Sequence, residues 1–107
     1  MKLVIAVINR DDANAVSQAL TRSGYSSTRL STTGGFLMAG NVTLMIGVEK
    51  EKAQDVIDII KSKSHSRKQL IPSTMQMEHG HHSGAPVEVT VGGATIFVVD
   101  VERFEHV

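Results

Sequence analysis

The sequence predicts an α+β domain in the order β-α-β-β-α-β. Three patterns carry that expectation. Leu3 to Ile8 is a continuous apolar run rich in β-branched side chains, and a helical stripe follows it at Ala13, Val16 and Leu20. Leu44-Met45-Ile46-Gly47-Val48 echoes that opening run, and a second stripe follows at Ala53, Val56, Ile57 and Ile60. Near the end, Val87, Val89 and Val91 alternate with Glu88 and Thr90, and Thr95 to Val101 reads as the strand returning from a Gly92-Gly93 hairpin. Elements in this order build the ferredoxin-like sandwich, an antiparallel sheet with both helices on one face.

Each element has a local reason. The opening run suits a central strand covered on both faces. Asn9 to Asp12 is a polar break, with Asp11 or Asp12 as the expected helix cap. Gly24, after Arg22 and Ser23, is a C-terminal stop. Residues 25–31 read as a strand, and Thr32-Thr33-Gly34-Gly35-Phe36-Leu37 sets a glycine pair between strand-like flanks. Gly40-Asn41 reads as a turn before the strand Val42 to Val48. Glu49 and Glu51 suit the N-terminal end of the second helix, and Lys61 and Lys63 its C-terminal end. Residues 64–86 hold both prolines and four of the five histidines, and most of this stretch is expected to be an extended, mobile surface loop. No further helix covers the second face of the sheet. Val87, Val89 and Val91 therefore point to a buried partner surface and a homo-oligomer.

Composition bounds the function. A chain of 107 residues with 41% apolar content fits one domain, 1–107, and excludes global disorder. Eleven basic side chains balance eleven acidic ones, which argues against a nucleic-acid polymer as partner. The absence of cysteine removes thiol nucleophiles, Cys-based metal sites and disulfides, and fits a reducing cytoplasm. No apolar run approaches the ~20 residues of a membrane span. Met1-Lys2 leads straight into the first strand, which reads as structure and not as a signal peptide.

A catalytic constellation is hard to assemble. No nucleophile elbow, zinc-protease, P-loop or dinucleotide motif occurs, so the expectation is a protein that is not an enzyme and needs no cofactor. Glu78-His79-Gly80-His81-His82 supports two readings: a solvated polar loop, or a transition-metal site built from imidazoles and a carboxylate. The glycine pairs also support two readings. Gly34-Gly35-Phe36 and Gly92-Gly93 with Phe97 are either tight turns with core phenylalanines, or close backbone approaches to phosphate with a ring beside a base.

Ser31-Thr32-Thr33-Gly34-Gly35-Phe36-Leu37-Met38-Ala39-Gly40-Asn41-Val42-Thr43 resembles the signature of the small PII-like receptors for cyclic di-AMP. Met1 to Val7, Ile46-Gly47-Val48 and Val87 to Val98 look like the same family, so the resemblance runs along nearly the whole chain. It implies a PII-like, ferredoxin-like homotrimer that binds cyclic di-AMP in clefts between subunits. The family is non-catalytic. Its ligand orders two loops, here after Gly34-Gly35 and at about 70–86, for an unidentified protein partner. Carried onto this chain, Thr28 holds a phosphate or base, with Ser26 and Ser27 beside it. Gly35, Phe36 and Leu37 form the adenine pocket. Asn41 hydrogen-bonds a base edge, Gly47 lets the ligand lie against the strand, and Phe97 flanks the pocket. Two positions depart from the pattern: Ser26 stands where the family often has Arg, and Met38 where basic residues are common. Arg29 keeps a positive charge nearby, but strand alternation turns it away from Thr28. The departures leave a related reading open, a PII-like binder of another adenine nucleotide. The histidine loop leaves a metal-responsive trimer.

Overall fold

The computed structural model describes residues 1–30, 40–71 and 87–107. The chain runs β1 (Lys2–Asn9), α1 (Arg10–Arg22), β2 (Thr28–Leu30), β3 (Asn41–Val48), α2 (Ala53–Lys63), β4 (Ser66–Ile71), β5 (Val87–Gly92) and β6 (Ala94–Asp100). Strands β2, β3, β1 and β6 lie side by side in that order, antiparallel at every junction, while β4 and β5 pair apart as a two-stranded sheet. With that hairpin set aside, the fold is the predicted ferredoxin-like sandwich.

The core follows from strand alternation. Val4, Ala6 and Ile8 of β1 and Val42, Leu44, Ile46 and Val48 of β3 are buried on one face. They meet Ala13, Val16 and Leu20 of α1 and Ala53, Val56 and Ile60 of α2, the two stripes read from the sequence. The first strand was expected to be covered on both faces, but the helices take only one. Leu3, Ile5 and Val7 on the other face stay half-buried. Val87, Val89 and Val91 lie in the hairpin sheet, and the uncovered apolar face belongs to β1, β3 and β6.

The segment 64–86 is not loop throughout, because Ser66 to Ile71 forms β4 and pairs with β5 from Ser66↔Gly92 to Ile71↔Val87. Arg67-Lys68-Gln69 gives β4 a polar middle without period-two alternation, so pairing rather than patterning makes it a strand. Residues 72–86 lie outside the described residues. Gly92-Gly93 is not a hairpin turn either. Both glycines have positive φ, 80° and 81°, but β5 pairs with β4 and β6 with β1, so the pair carries the chain from one sheet to the other. The Gly93 N–H donates to the His65 carbonyl at 2.9 Å, extending the hairpin ladder by one bond.

The helix ends are set by side chains and backbone together. Asn9, not Asp11 or Asp12, caps α1: its Oδ1 accepts the Asp11 N–H at 2.9 Å. Asn9 is the last residue of β1 and still extended, which is the cap geometry. Asp12 instead turns inward and accepts the His65 N–H at 3.4 Å. At the other end, Gly24 (φ 87°) donates to the Thr21 carbonyl at 3.0 Å and Tyr25 to that of Leu20 at 2.9 Å, a Schellman closure. Tyr25 then packs on the core and its hydroxyl donates to Asp55 on α2 at 2.5 Å.

That hydrogen bond raises the phenol pKa above its usual 10.0, with loss of water and the Asp55 charge adding to it. The folded state therefore holds the proton more tightly, and this contribution to stability is present below about pH 10 and lost as pH rises through the folded value. Tyr25 is the sole tyrosine and there is no tryptophan, so ultraviolet titration reads this group alone. The midpoint is expected above 10 and to fall toward 10 in Asp55→Ala; an equal midpoint in both proteins would show that the bond does not form in solution.

Candidate functional site

Register determines what the uncovered face presents. On that side Thr28 of β2 stands opposite Met45 of β3, Met45 opposite Ile5 of β1, and Ile5 opposite Phe97 of β6. The neighbouring row holds Gly47, Leu3 and Val99, and the row on the other side holds Leu30, Thr43, Val7 and Thr95. Asn41 ends the face beside Asn9. Thr28, Asn41, Gly47 and Phe97 thus share one face by strand alternation alone. Arg29 points the other way and donates to Asn14 of α1 at 3.0 Å, as alternation predicts.

Among the described residues, two cavities on this face can be traced. One, of about 310 Å³, is lined by Met1, Leu3, Thr28, Met45, Gly47, Val101 and Phe104. Its walls are apolar except for the Thr28 hydroxyl and the backbone. The other, also about 310 Å³, is lined by Val7, Asn41, Ser66, Gly92, Gly93, Ala94 and Thr95, and is the more polar. Among the described residues, no ionisable side chain lines either one. Asn41 and Gly47 are six residues apart on β3, so the cavities sit toward opposite ends of the face, about 20 Å along the strand.

Gly47 separates two explanations for a strand glycine. Among the described residues, no atom lies within 4 Å of the place a Cβ would occupy, and its φ is not positive. Neither internal packing nor backbone strain requires glycine here. The absent side chain leaves the floor of the first cavity open.

The remaining predicted residues are placed as follows. Ser26 is exposed and Ser27 half-buried just before β2, and neither lines either of these two cavities. Phe97 is 54% exposed on the open face between the cavities and lines neither. It is not a core residue. Gly35, Phe36 and Leu37 lie outside the described residues, as do Glu78, His79, His81 and His82. Among the described residues, no cluster of three or more His, Cys, Asp or Glu could hold a metal ion. Phe104 was missed by sequence reasoning. It follows the last strand in a charged tail with no hydrophobic period to mark it, and only the fold brings it to Thr28 and Gly47.

A family model described as "Cyclic-di-AMP receptor" matches residues 1–107, the whole chain. The chain belongs to the cyclic-di-AMP receptor family. A solved relative of this receptor is a functionally unknown protein from Pediococcus pentosaceus, 42% identical, covering 99% of this chain and 96% of its own, with a TM-score of 0.72. The family match agrees with the resemblance carried by the Thr32-Thr33-Gly34-Gly35-Phe36 motif and makes this chain one of a class of binding proteins. No helix among its described residues is long and apolar enough to cross a membrane.

Gly47→Val tests the cavity floor. With open space above it and a β-branched residue suited to a strand, valine is expected to leave unfolding stability within about 0.5 kcal/mol of the parent, or above it. Denaturant melts at matched protein concentration measure this. A loss of about 2 kcal/mol or more would mean that position 47 is packed in solution.

Proposed function

We propose that this chain is a non-catalytic signal-transduction receptor of the cytoplasm that binds cyclic di-AMP in clefts between the subunits of a homotrimer. The observation that carries the reading is the open floor at Gly47 beside the Thr28 hydroxyl, in a chain of the cyclic-di-AMP receptor family. A glycine with no internal reason to be glycine, at the base of an apolar cavity, suits a flat base laid against the strand. A second cavity, with the Asn41 amide and the Gly92-Gly93 backbone, suits a ligand that carries two bases and two phosphates.

The trimer is supported by the same face. Leu3, Ile5 and Val7 are half-buried and Phe97 and Val99 exposed, an apolar surface that a neighbouring subunit would cover. Clefts at the edges of such contacts would hold the ligand, with Thr28 and Asn41 as contacts in the two cavities. Ligand binding then changes the state of the segments after Gly34-Gly35 and at about 70–86, which a protein partner reads through differential binding to two loop states.

Calorimetric titration with cyclic di-AMP, with cyclic di-GMP and ATP as controls, tests the reading. One selective site per subunit is expected. Phe36→Ala is expected to weaken binding about tenfold or more through lost stacking, and Asn41→Ala about three- to tenfold, both with the trimer mass unchanged by light scattering. Gly47→Val is expected to abolish binding. Selective heat with ATP alone would favour the other adenine-nucleotide reading, and unchanged affinity in all three variants would refute the site.

Ser26 offers a gain-of-function check. A charge-assisted bond to phosphate is roughly twice as strong as a neutral one, so Ser26→Arg is expected to tighten cyclic di-AMP about tenfold and add a salt dependence. Equal affinity in 50 mM and 500 mM salt would show that position 26 does not face the phosphates.

A further inference from the structure

The strand that carries Thr28 has little backbone support. β2 is three residues long, all of them exposed, and among the described residues it is an edge strand paired with β3 alone. Ser26 and Ser27 precede it and belong to no strand. An edge held on one side over three residues is the kind of segment that opens locally at small cost. Two side chains bracket this stretch and reach from it to the helix layer. Before it, Tyr25 packs on the core, and its hydroxyl donates to Asp55 Oδ2 on α2 at 2.5 Å. After Thr28, Arg29 donates through Nη1 to Asn14 Oδ1 on α1 at 3.0 Å. The Asp55 carboxylate makes the first bond charge-assisted, the stronger kind. The Tyr25 backbone is fixed too, because its N–H donates to the Leu20 carbonyl at 2.9 Å.

We propose that Tyr25 and Arg29 are positioning residues for the ligand: by tying the two ends of Ser26–Thr28 to α2 and α1, they hold that segment in its binding geometry. The inference rests on the receptor reading above and deepens it. Asp55 and Asn14 are exposed, so the core does not depend on either bond. What the bonds change is the cost of ordering. A segment already fixed in the free protein loses less conformational freedom when a ligand binds it. Strand alternation turns Arg29 away from Thr28, so its guanidinium acts on the segment and not on a phosphate.

Calorimetry with cyclic di-AMP on the full chain, well below the unfolding temperature, tests this. Tyr25→Phe keeps the packed ring and removes the hydroxyl, and is expected to weaken binding about three- to tenfold. Asp55→Ala is expected to do the same, and the double variant no more than either alone, because all three lose one bond. Asp55→Asn, whose amide oxygen still accepts the phenol proton, is expected to lose less than Asp55→Ala. Asn14→Ala leaves the Arg29 charge in place and is expected to weaken binding about threefold. A purely structural role would lower the melting temperature and leave the affinity of the folded protein at the parent's value. Parent-like affinity in Tyr25→Phe would overturn the role of Tyr25, and in Asn14→Ala that of Arg29, with the receptor reading intact. Additive losses in the Tyr25→Phe/Asp55→Ala double variant would overturn the Tyr25 tether by showing that the two residues act separately. A parent that binds no cyclic di-AMP would overturn the receptor reading, and this role with it.

Discussion

Two helices cover one face of a four-stranded sheet and leave the other. That constraint governs the rest of this molecule. In β1, Val4, Ala6 and Ile8 go to the helices, so Leu3, Ile5 and Val7 go to the opposite side with no helix to receive them. Because the side-chain period of a strand is two, the same register assigns Met45, Gly47, Thr43 and Asn41 to the open face of β3. A slip of one residue between β1 and β3 would bury Gly47 and Asn41 and turn Leu44 and Ile46 to water. The hydrophobic core therefore holds the open face in register, although its own side chains point the other way.

Among the described residues, no ionisable side chain lines either cavity of this face. On the proposed reading, a phosphate-bearing ligand would meet the Thr28 and Thr95 hydroxyls, the Asn41 amide and glycine backbone. Neutral hydrogen bonds contribute about 0.5–1.5 kcal/mol each in net terms, less than charge-assisted ones. On that reading, close contact between flat apolar surfaces would supply most of the recognition. Such contact is nearly indifferent to ionic strength, unlike the screened attraction of a basic pocket. Two ion pairs lie outside the residues that line the cavities. Lys2 with Asp100 closes the end of β1 and β6 and holds the Asp100 carboxyl below its usual range, and Lys68 with Glu88 at 3.2 Å bridges the exposed hairpin.

The parts of the fold that were legible in the sequence are those whose side chains repeat with a period. Val16 and Leu20, or Val56 and Ile60, mark helix faces whatever surrounds them, and the run from Leu3 to Ile8 marks a central strand. Other features depend on neighbours distant in sequence. Arg67-Lys68-Gln69 becomes a strand only because β5 lies beside it. Gly92-Gly93 has the backbone conformation of a hairpin turn, but conformation does not say which strands pair, and here the strands on its two sides belong to different sheets. Asn9 displaced Asp12 as the cap because Asp12 was drawn inward to the His65 amide. At the site, alternation alone set Arg29 apart from Thr28. The convergence of Thr28, Gly47 and Phe104 was not legible, because it depends on the tail crossing back over β1 after the last strand.

The hairpin β4–β5 is pinned at its root by one residue. His65 offers its carbonyl to Gly93 and its N–H to Asp12, so the backbone at that point is gripped from the β6 side and from α1 at once. From there six residues of β4 extend about 20 Å. Mechanically this is a lever with its fulcrum at His65. A tilt of about 10° at the root carries the far end by about 3–4 Å over that length of strand. The short arm of the lever is Gly92-Gly93, at the wall of the Asn41 cavity, so small displacements there are geometrically amplified at the distal end of the hairpin.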